Sequence, residues 1–354
     1  MTIALERPDV LSLAAGFTDN DSLPMEQVSG IVKGFEGRSI EEKTVLQYGT
    51  NQGRAGLREA ICRRLEGEDG QTEGAYSSGR CFITNGSQQA LYLAMQTLCD
   101  EGDIVFVEDP SYFVFLEILD GLGIEARPMP ILDSGRIDLA ALERDFAELK
   151  DAGELARVKA VYLVSYFANP TGQSVDQETK RGVGQLVSEF DPQIAIIEDA
   201  AYRELYFETP YEAKSCLAYE EFENLSVLYT STLTKPFATG LKVGYGYCND
   251  EDWLARMLAV KGQHDFGTSH FTQAVLERAI EEGIFDHHLG HLRRIYFSKV
   301  QVLDDVLRSG LERIGWQWER PRGGLYFWMK APGELATDFD SEFHAQCIEQ
   351  RNSR

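Results

Sequence analysis

Between residues 81 and 248 the sequence repeats one arrangement. A short apolar run ends in a polar or glycine-bearing break, and a helical stretch usually follows. The runs cover residues 81–84, 103–108, 124–131, 158–164, 194–197, 226–230 and 243–247. A strand with water on one face alternates apolar and polar residues. These runs do not alternate, so both of their faces must be covered. Helical stretches at 113–120, 139–149 and 177–190 supply the cover. The pattern therefore predicts an α/β fold, a mostly parallel seven-stranded sheet sandwiched by helices. Ligands of such sheets bind outside the carboxyl ends of the strands. The polar clusters at Asn85–Gln88, Asp109–Tyr112, Asn169–Gly172 and Asp199–Tyr202 all fall at strand ends, and the loop carrying Lys235 follows a strand in the same way.

With 354 residues, 43% hydrophobic and 11% aromatic, the chain can bury a large core and carry a second lobe. Beyond Trp253 the pattern turns helical, with strand-like pieces at 316–319 and 325–329 around Pro321-Arg322-Gly323-Gly324 and a further helix from Glu342. The expected division is an N-terminal arm at 1–40, a large domain at 41–270 and a smaller α+β domain at 271–354. In the arm, residues 11–17 read as a short extended piece ending near Gly16, and a helix starts at Leu23-Pro24. Residues 66–79 read as a polar, glycine-rich loop.

A net charge of −23 repels nucleic acid and anionic membranes, so neither is an expected partner. The six cysteines lack metal-ligand spacing and read as reduced thiols, with no metal site. No apolar stretch reaches membrane-spanning length, and the N-terminus has no secretory apolar core. A cytoplasmic location is expected.

The chemistry centres on TSTLTKPFATGLKVG, residues 230–244. Lys235 lies in a hydroxyl-rich loop with Thr232 and Thr234 at alternate positions, and a second cation, Lys242, returns the chain to the next strand. A desolvated lysine on such a loop is kept partly neutral, as attack on a carbonyl carbon requires. Taken alone, this stretch favours a solvated surface lysine in a threonine-rich turn; the other clusters along the chain shift the balance. Gly86-Ser87-Gln88 opens a helix after a strand, with Ser87 read as its N-cap, and helix N-termini attract anions. Gly16 lets backbone approach a ligand closely. Singly, Asp199 serves as well for a helix cap, Asn169 for a turn residue, and Tyr112 and Tyr202 for half-buried core. Together they amount to one lysine, one carboxylate, an amide, phenols and an anion cradle. Pyridoxal 5′-phosphate, a phosphorylated aromatic aldehyde, matches each of these.

These motifs identify a resemblance. Gly86-Ser87-Gln88-Gln89-Ala90-Leu91, Glu108-Asp109-Pro110-Ser111-Tyr112, Asn169-Pro170-Thr171-Gly172, Glu198-Asp199-Ala200-Ala201-Tyr202 and Thr232-Leu233-Thr234-Lys235 stand in family order along nearly the whole chain. The chain resembles a fold-type I pyridoxal-phosphate enzyme of the class I/II aminotransferase family, nearest the aminoadipate and kynurenine aminotransferase branch. The resemblance implies that Lys235 forms the Schiff base and moves the α-proton. It implies that Asp199 pairs with the ring nitrogen, that Asn169 and Tyr202 contact the phenolate oxygen, and that Tyr112 stacks on the ring. Ser87, Gln88, Thr232, Thr234 and Lys242 would hold the phosphate. Gly16 and Asn169 would line the substrate, and Tyr48 would reach the phosphate of a neighbouring subunit, which implies a homodimer. The implied reaction moves an amino group between an amino acid and a 2-oxo acid.

Three departures accompany the resemblance. Threonines replace the family's usual serines at 232 and 234, and Lys242 stands where an arginine is usual. The sequence also ends at Arg354, short of the small-domain arginine that grips the substrate carboxylate in the family, which leads to an expectation of poor transamination. Two other readings stay open: a different pyridoxal reaction such as elimination, decarboxylation or cyclisation, and a non-catalytic ligand sensor. The sensor ranks low on the acidic charge and on the lack of an N-terminal helix-turn-helix segment.

Overall fold

The computed structural model describes residues 16, 18–37, 39–132, 134–338 and 340–349. The expected extended piece at 11–17 lies almost wholly outside the described residues, as does the end of the chain at 350–354.

The described helices are α1 (Met25–Gly34), α2 (Ile40–Thr44), α3 (Ala55–Asp69), α4 (Gly86–Leu98), α5 (Phe113–Gly121), α6 (Leu139–Asp151), α7 (Gln177–Phe190), α8 (Glu251–His264), α9 (His270–Glu281), α10 (Ile284–Gly310) and α11 (Glu342–Glu349). The strands are β1 (Cys81–Asn85), β2 (Ile104–Val107), β3 (Glu125–Pro128), β4 (Val158–Val164), β5 (Ala195–Asp199), β6 (Val227–Thr232), β7 (Val243–Cys248), β8 (Gln317–Trp318) and β9 (Met329–Lys330). Local chemistry sets several starts. Asp138, Asp176 and Asp250 each accept a backbone N–H three residues on, at 3.0, 2.9 and 2.9 Å, and so cap α6, α7 and α8.

The main sheet has seven strands in the order β1-β7-β6-β5-β4-β2-β3. Only β7 runs against its neighbours, β1 on one side and β6 on the other; the remaining pairings are parallel. Strands β2, β4, β5 and β6 are buried, and successive residues go to opposite cores. β3, at the sheet's edge, is mostly exposed, because its Glu125 and Arg127 are charged, and it departs from the expected covered apolar run. Val105, Tyr162 and Ile197 pack with Leu91, Phe115 and Trp253 on one face. Phe106, Val161 and Ile196 pack with Phe146 and Val183 on the other.

Some expectations need correction. The helix after β1 begins at Gly86, so Ser87 is its second residue and not the cap. The cap position is Asn85, whose backbone N–H donates to Gln89 Oε1 at 2.8 Å. Third in sequence, the strand stops at Pro128 and not at Ile131, which makes only an isolated bridge to Ile137. Helix α3 runs on to Asp69, into what reads as loop, and closes on Gly70 in the left-handed region. Of the strand-like stretch 325–329 only its last residue is in β9, paired antiparallel with β8. The turn before it docks on the large sheet's loops, where Phe207 N–H donates to Arg322 O at 3.0 Å. At the other end of the chain, Asp19 pairs with Lys299 of α10 at 2.9 Å.

Candidate active site

Because β7 is the lone reversed strand, the ends of β1, β2, β4, β5 and β6 and the start of β7 share one edge of the sheet. The polar clusters therefore meet there. β6 ends at Thr232, and its continuation carries Lys235 before the chain turns back into β7. Lys235 is half-buried, and its Nζ donates to Gly16 O at 3.2 Å. It lies 6.0 Å from the centre of the Tyr202 ring. Burial, together with the positive charge of Lys242, holds the Lys235 ammonium below the usual lysine range. A neutral fraction is the state a nucleophilic amine needs. Lys242 is exposed, at φ 55°, where it ends a short turn and enters β7.

Thr232 and Thr234 point to the same side, as alternate residues should. Their hydroxyls are 2.6 Å apart, and Thr232 Oγ1 also reaches Val243 O at 3.3 Å. Beside them Gly244 sits level with Thr232 on β6 and with Thr84 on β1. A Cβ at Gly244 would lie 2.3 Å from Gly86 C and 2.4 Å from Ser87 N, so the first turn of α4 is seated directly on this strand. Only glycine permits that approach. The free N–H groups of Gly86, Ser87 and Gln88 thus open beside the threonine hydroxyls, an arrangement suited to a dianion.

Asp199 ends β5 and is only 4% exposed. Its Oδ2 accepts from Tyr162 OH and its Oδ1 from Ala201 N–H, both at 3.0 Å. Burial pushes its carboxyl up to about 6 against these two donors. Two other buried acids have a cation: Glu198 has Lys180 at 2.6 Å and Asp69 has Arg203 at 2.6 Å. Among the described residues Asp199 has none. A buried carboxylate lacking its cation suits the protonated nitrogen of an aromatic ring.

The remaining expected residues fall as follows. Asn169 is buried and is followed by a cis bond to Pro170. Tyr202 is buried and packs edge-to-face with Tyr326, ring centres 6.1 Å apart. Tyr112 is half-buried at the start of α5, where burial and the charge of Asp199 push its phenol up to about 12. Tyr48 is 81% exposed, with its ring edge-to-face on Phe266 and not among the side chains around Lys235. Sequence reasoning missed Tyr162 and Tyr326. A phenol inside the otherwise aliphatic run 158–164 was the available signal for Tyr162. Tyr326 carried none, yet its hydroxyl lies where a Cβ on Gly16 would be, 2.1 Å away.

Comparison with known proteins bears on what this edge does. Residues 8–352 match the family described as aminotransferase class I and II. An aromatic-amino-acid aminotransferase of Thermococcus litoralis is 29% identical over 337 residues, 94% of this chain and 76% of its own. The kynurenine aminotransferase of Pyrococcus horikoshii, solved in complex with PMP, superposes with a TM-score of 0.83 at 28% identity, covering 94% of this chain and 79% of that one. The α-aminoadipate aminotransferase LysN of Thermus thermophilus, complexed with N-(5′-phosphopyridoxyl)-L-leucine, gives 0.79 at 27% identity, over 95% of this chain and 80% of that one. An HTH-type transcriptional regulator of Bacillus subtilis is 26% identical over 328 residues, 91% of this chain and 62% of its own.

Proposed function

This chain belongs to the class I and II aminotransferase family, and on that premise we propose that it binds pyridoxal 5′-phosphate and moves amino groups between an amino acid and a 2-oxo acid. The observation that carries the reading is the pairing, at one sheet edge, of a buried carboxylate lacking a cation with a half-buried lysine of depressed basicity. When bound, the cofactor supplies an aldehyde for covalent attachment and a ring that accepts electrons. The chain's own residues do the rest. Lys235 provides the attaching amine and afterwards an Nζ that can take and return a proton. Gly16 O steadies that Nζ through the 3.2 Å bond. Asp199 supplies the negative charge that keeps a ring nitrogen protonated. The first turn of α4, with Ser87 and Gln88, joins Thr232, Thr234 and Lys242 as the phosphate site. The two threonine hydroxyls, 2.6 Å apart, would supply donors there. Asn169, Tyr202 and Tyr112 would hold the ring. Exposed Tyr48 is suited to reach the equivalent site of a second copy, so the working form is a homodimer.

A sensing role without turnover is the second reading, favoured by the regulator among the relatives. Borohydride reduction of the loaded protein, followed by peptide mapping, is expected to put the pyridoxyl label on Lys235. A label on Lys242 or Lys261, or none, refutes the assignment. Amino transfer to a panel of 2-oxo acids then separates the readings: a label with no transfer from any donor supports the sensor.

A further inference from the structure

The mechanism needs Asp199 charged, yet the carboxyl lies in a dry setting that opposes charge. We propose that Tyr162 is the positioning residue for Asp199, its hydroxyl orienting the carboxylate and holding it charged, while Glu108 stays neutral so that the edge carries one negative charge and not two. The proposal rests on the reading above only for what that charge is used for.

Tyr162 is fully buried on β4, and its ring stacks on Phe115 of α5 with centres 4.0 Å apart and planes 28° apart. Its register partner on β5 is Ile197, and Val164 pairs with Asp199, so Tyr162 and Asp199 project to the same face of the sheet. Strand on one side and stacked ring on the other leave the hydroxyl no freedom to leave Oδ2, 3.0 Å away. Helix α5, which starts directly after Tyr112, thereby also clamps Tyr162. The same element serves both the ring face and the carboxylate.

The other groups around Asp199 do not offer a cation. Glu198 projects to the opposite face and is neutralised by Lys180 at 2.6 Å. Tyr112 and Tyr202 both feel the Asp199 charge and remain neutral phenols. Glu108 leaves the end of β2, and its Oε2 accepts from Val164 N–H at 3.1 Å. That places a second carboxyl beside the β4 residue that pairs with Asp199. Burial and the neighbouring Asp199 push Glu108 up to about 8, against about 6 for Asp199. Asp199 is buried and Glu108 half-buried; neighbouring acids titrate apart, and the one with more donors ionises first. Asp199 has two donors and Glu108 one.

The test is a titration of the Asp199 carboxyl by carbon-13 NMR in the full chain stripped of cofactor, with Asp199→Asn assigning the signal. Tyr162→Phe keeps the stack and removes only the hydroxyl. It should raise the Asp199 midpoint by roughly one pH unit, the size of a lost hydrogen bond to a charged group. Glu108→Gln mimics the protonated acid and should leave the midpoint within a few tenths of a unit. An unchanged midpoint in Tyr162→Phe overturns the positioning role, which mere packing would not reveal. A midpoint lowered by about a unit in Glu108→Gln shows Glu108 ionised and overturns its neutral role. If the Phe variant does not fold, Phe115→Leu loosens the stack and must raise the midpoint in its place; no shift there also overturns the proposal. The titration is read without cofactor. Failure of the borohydride mapping with these shifts intact therefore refutes the pyridoxal reading and leaves the Tyr162–Asp199 relation standing.

Discussion

Asp199→Asn should gain stability relative to the cofactor-free wild-type chain as pH rises from about 4 to neutral. Folding moves the carboxyl from 3.8 to about 6, chiefly through burial. A raised carboxyl pKa means that the folded state binds its proton more tightly than the unfolded state does. The stability tied to that proton is fully present below about pH 3.8 and is lost as pH rises through about 6. Two units at about 1.4 kcal/mol each put the whole loss at about 3 kcal/mol, of which about 2 kcal/mol falls between about pH 4.5 and pH 8. Asparagine has nearly the same shape and never ionises. Its oxygen can accept from Ala201 N–H and its NH2 can donate to the Tyr162 oxygen. The phenol proton then loses its acceptor, a cost that does not vary with pH and so lowers the whole difference without changing its slope. Urea denaturation of both proteins at several pH values reads the difference directly. The advantage of the Asn variant should open between about pH 4 and 6 and stay flat above. A difference that is flat across the whole range, or that shrinks as pH rises, refutes the claim that Asp199 holds an uncompensated charge.

Two further outcomes follow from the same edge. Gly244→Ala forces a methyl into the backbone of Gly86 and Ser87, so it should cost about 1–3 kcal/mol in denaturation and weaken retention of pyridoxal phosphate; unchanged retention argues against the cradle. Lys242→Met should bind the cofactor more weakly by roughly 1.5–3 kcal/mol while Lys242→Arg binds as well as wild type, measured by equilibrium dialysis; equal affinity in the Met variant removes Lys242 from the phosphate site.

Much of this architecture is legible in the chain because the inner strands β2, β4, β5 and β6 are largely apolar on both faces and the breaks are polar. Helix α7 reads correctly at both ends because Asp176 is a real cap at its start and the apolar spacing stops at Phe190. The start of α4 reads wrongly because Ser87 has the right chemistry for a cap, while the backbone turns two residues earlier, at Asn85, through the left-handed Gly86. The direction of β7 is not legible, since a strand buried on both faces has the same composition whichever way it runs. Lys235, Asp199 and the two threonines stand out because they are polar residues at the ends of apolar runs. Tyr162 does not, because its ring belongs to the core and only its oxygen belongs to the site.

The reversed strand β7 has a consequence for how the protein is made. Residues 104–232 supply five adjacent parallel strands, β3, β2, β4, β5 and β6, and can assemble in the order of synthesis. β1 cannot join them, because its sheet partner is β7, which is translated last of the seven. A chain still on the ribosome can therefore pack α4 on the sheet through Leu91 and Ala94, but it leaves β1 and the Gly86 turn without their strand partner until residues 243–248 have emerged, a closure long in sequence. Until then the anion cradle has one wall. On the phosphate site proposed above, capture of a phosphate-bearing ligand would report that translation of the sheet is complete.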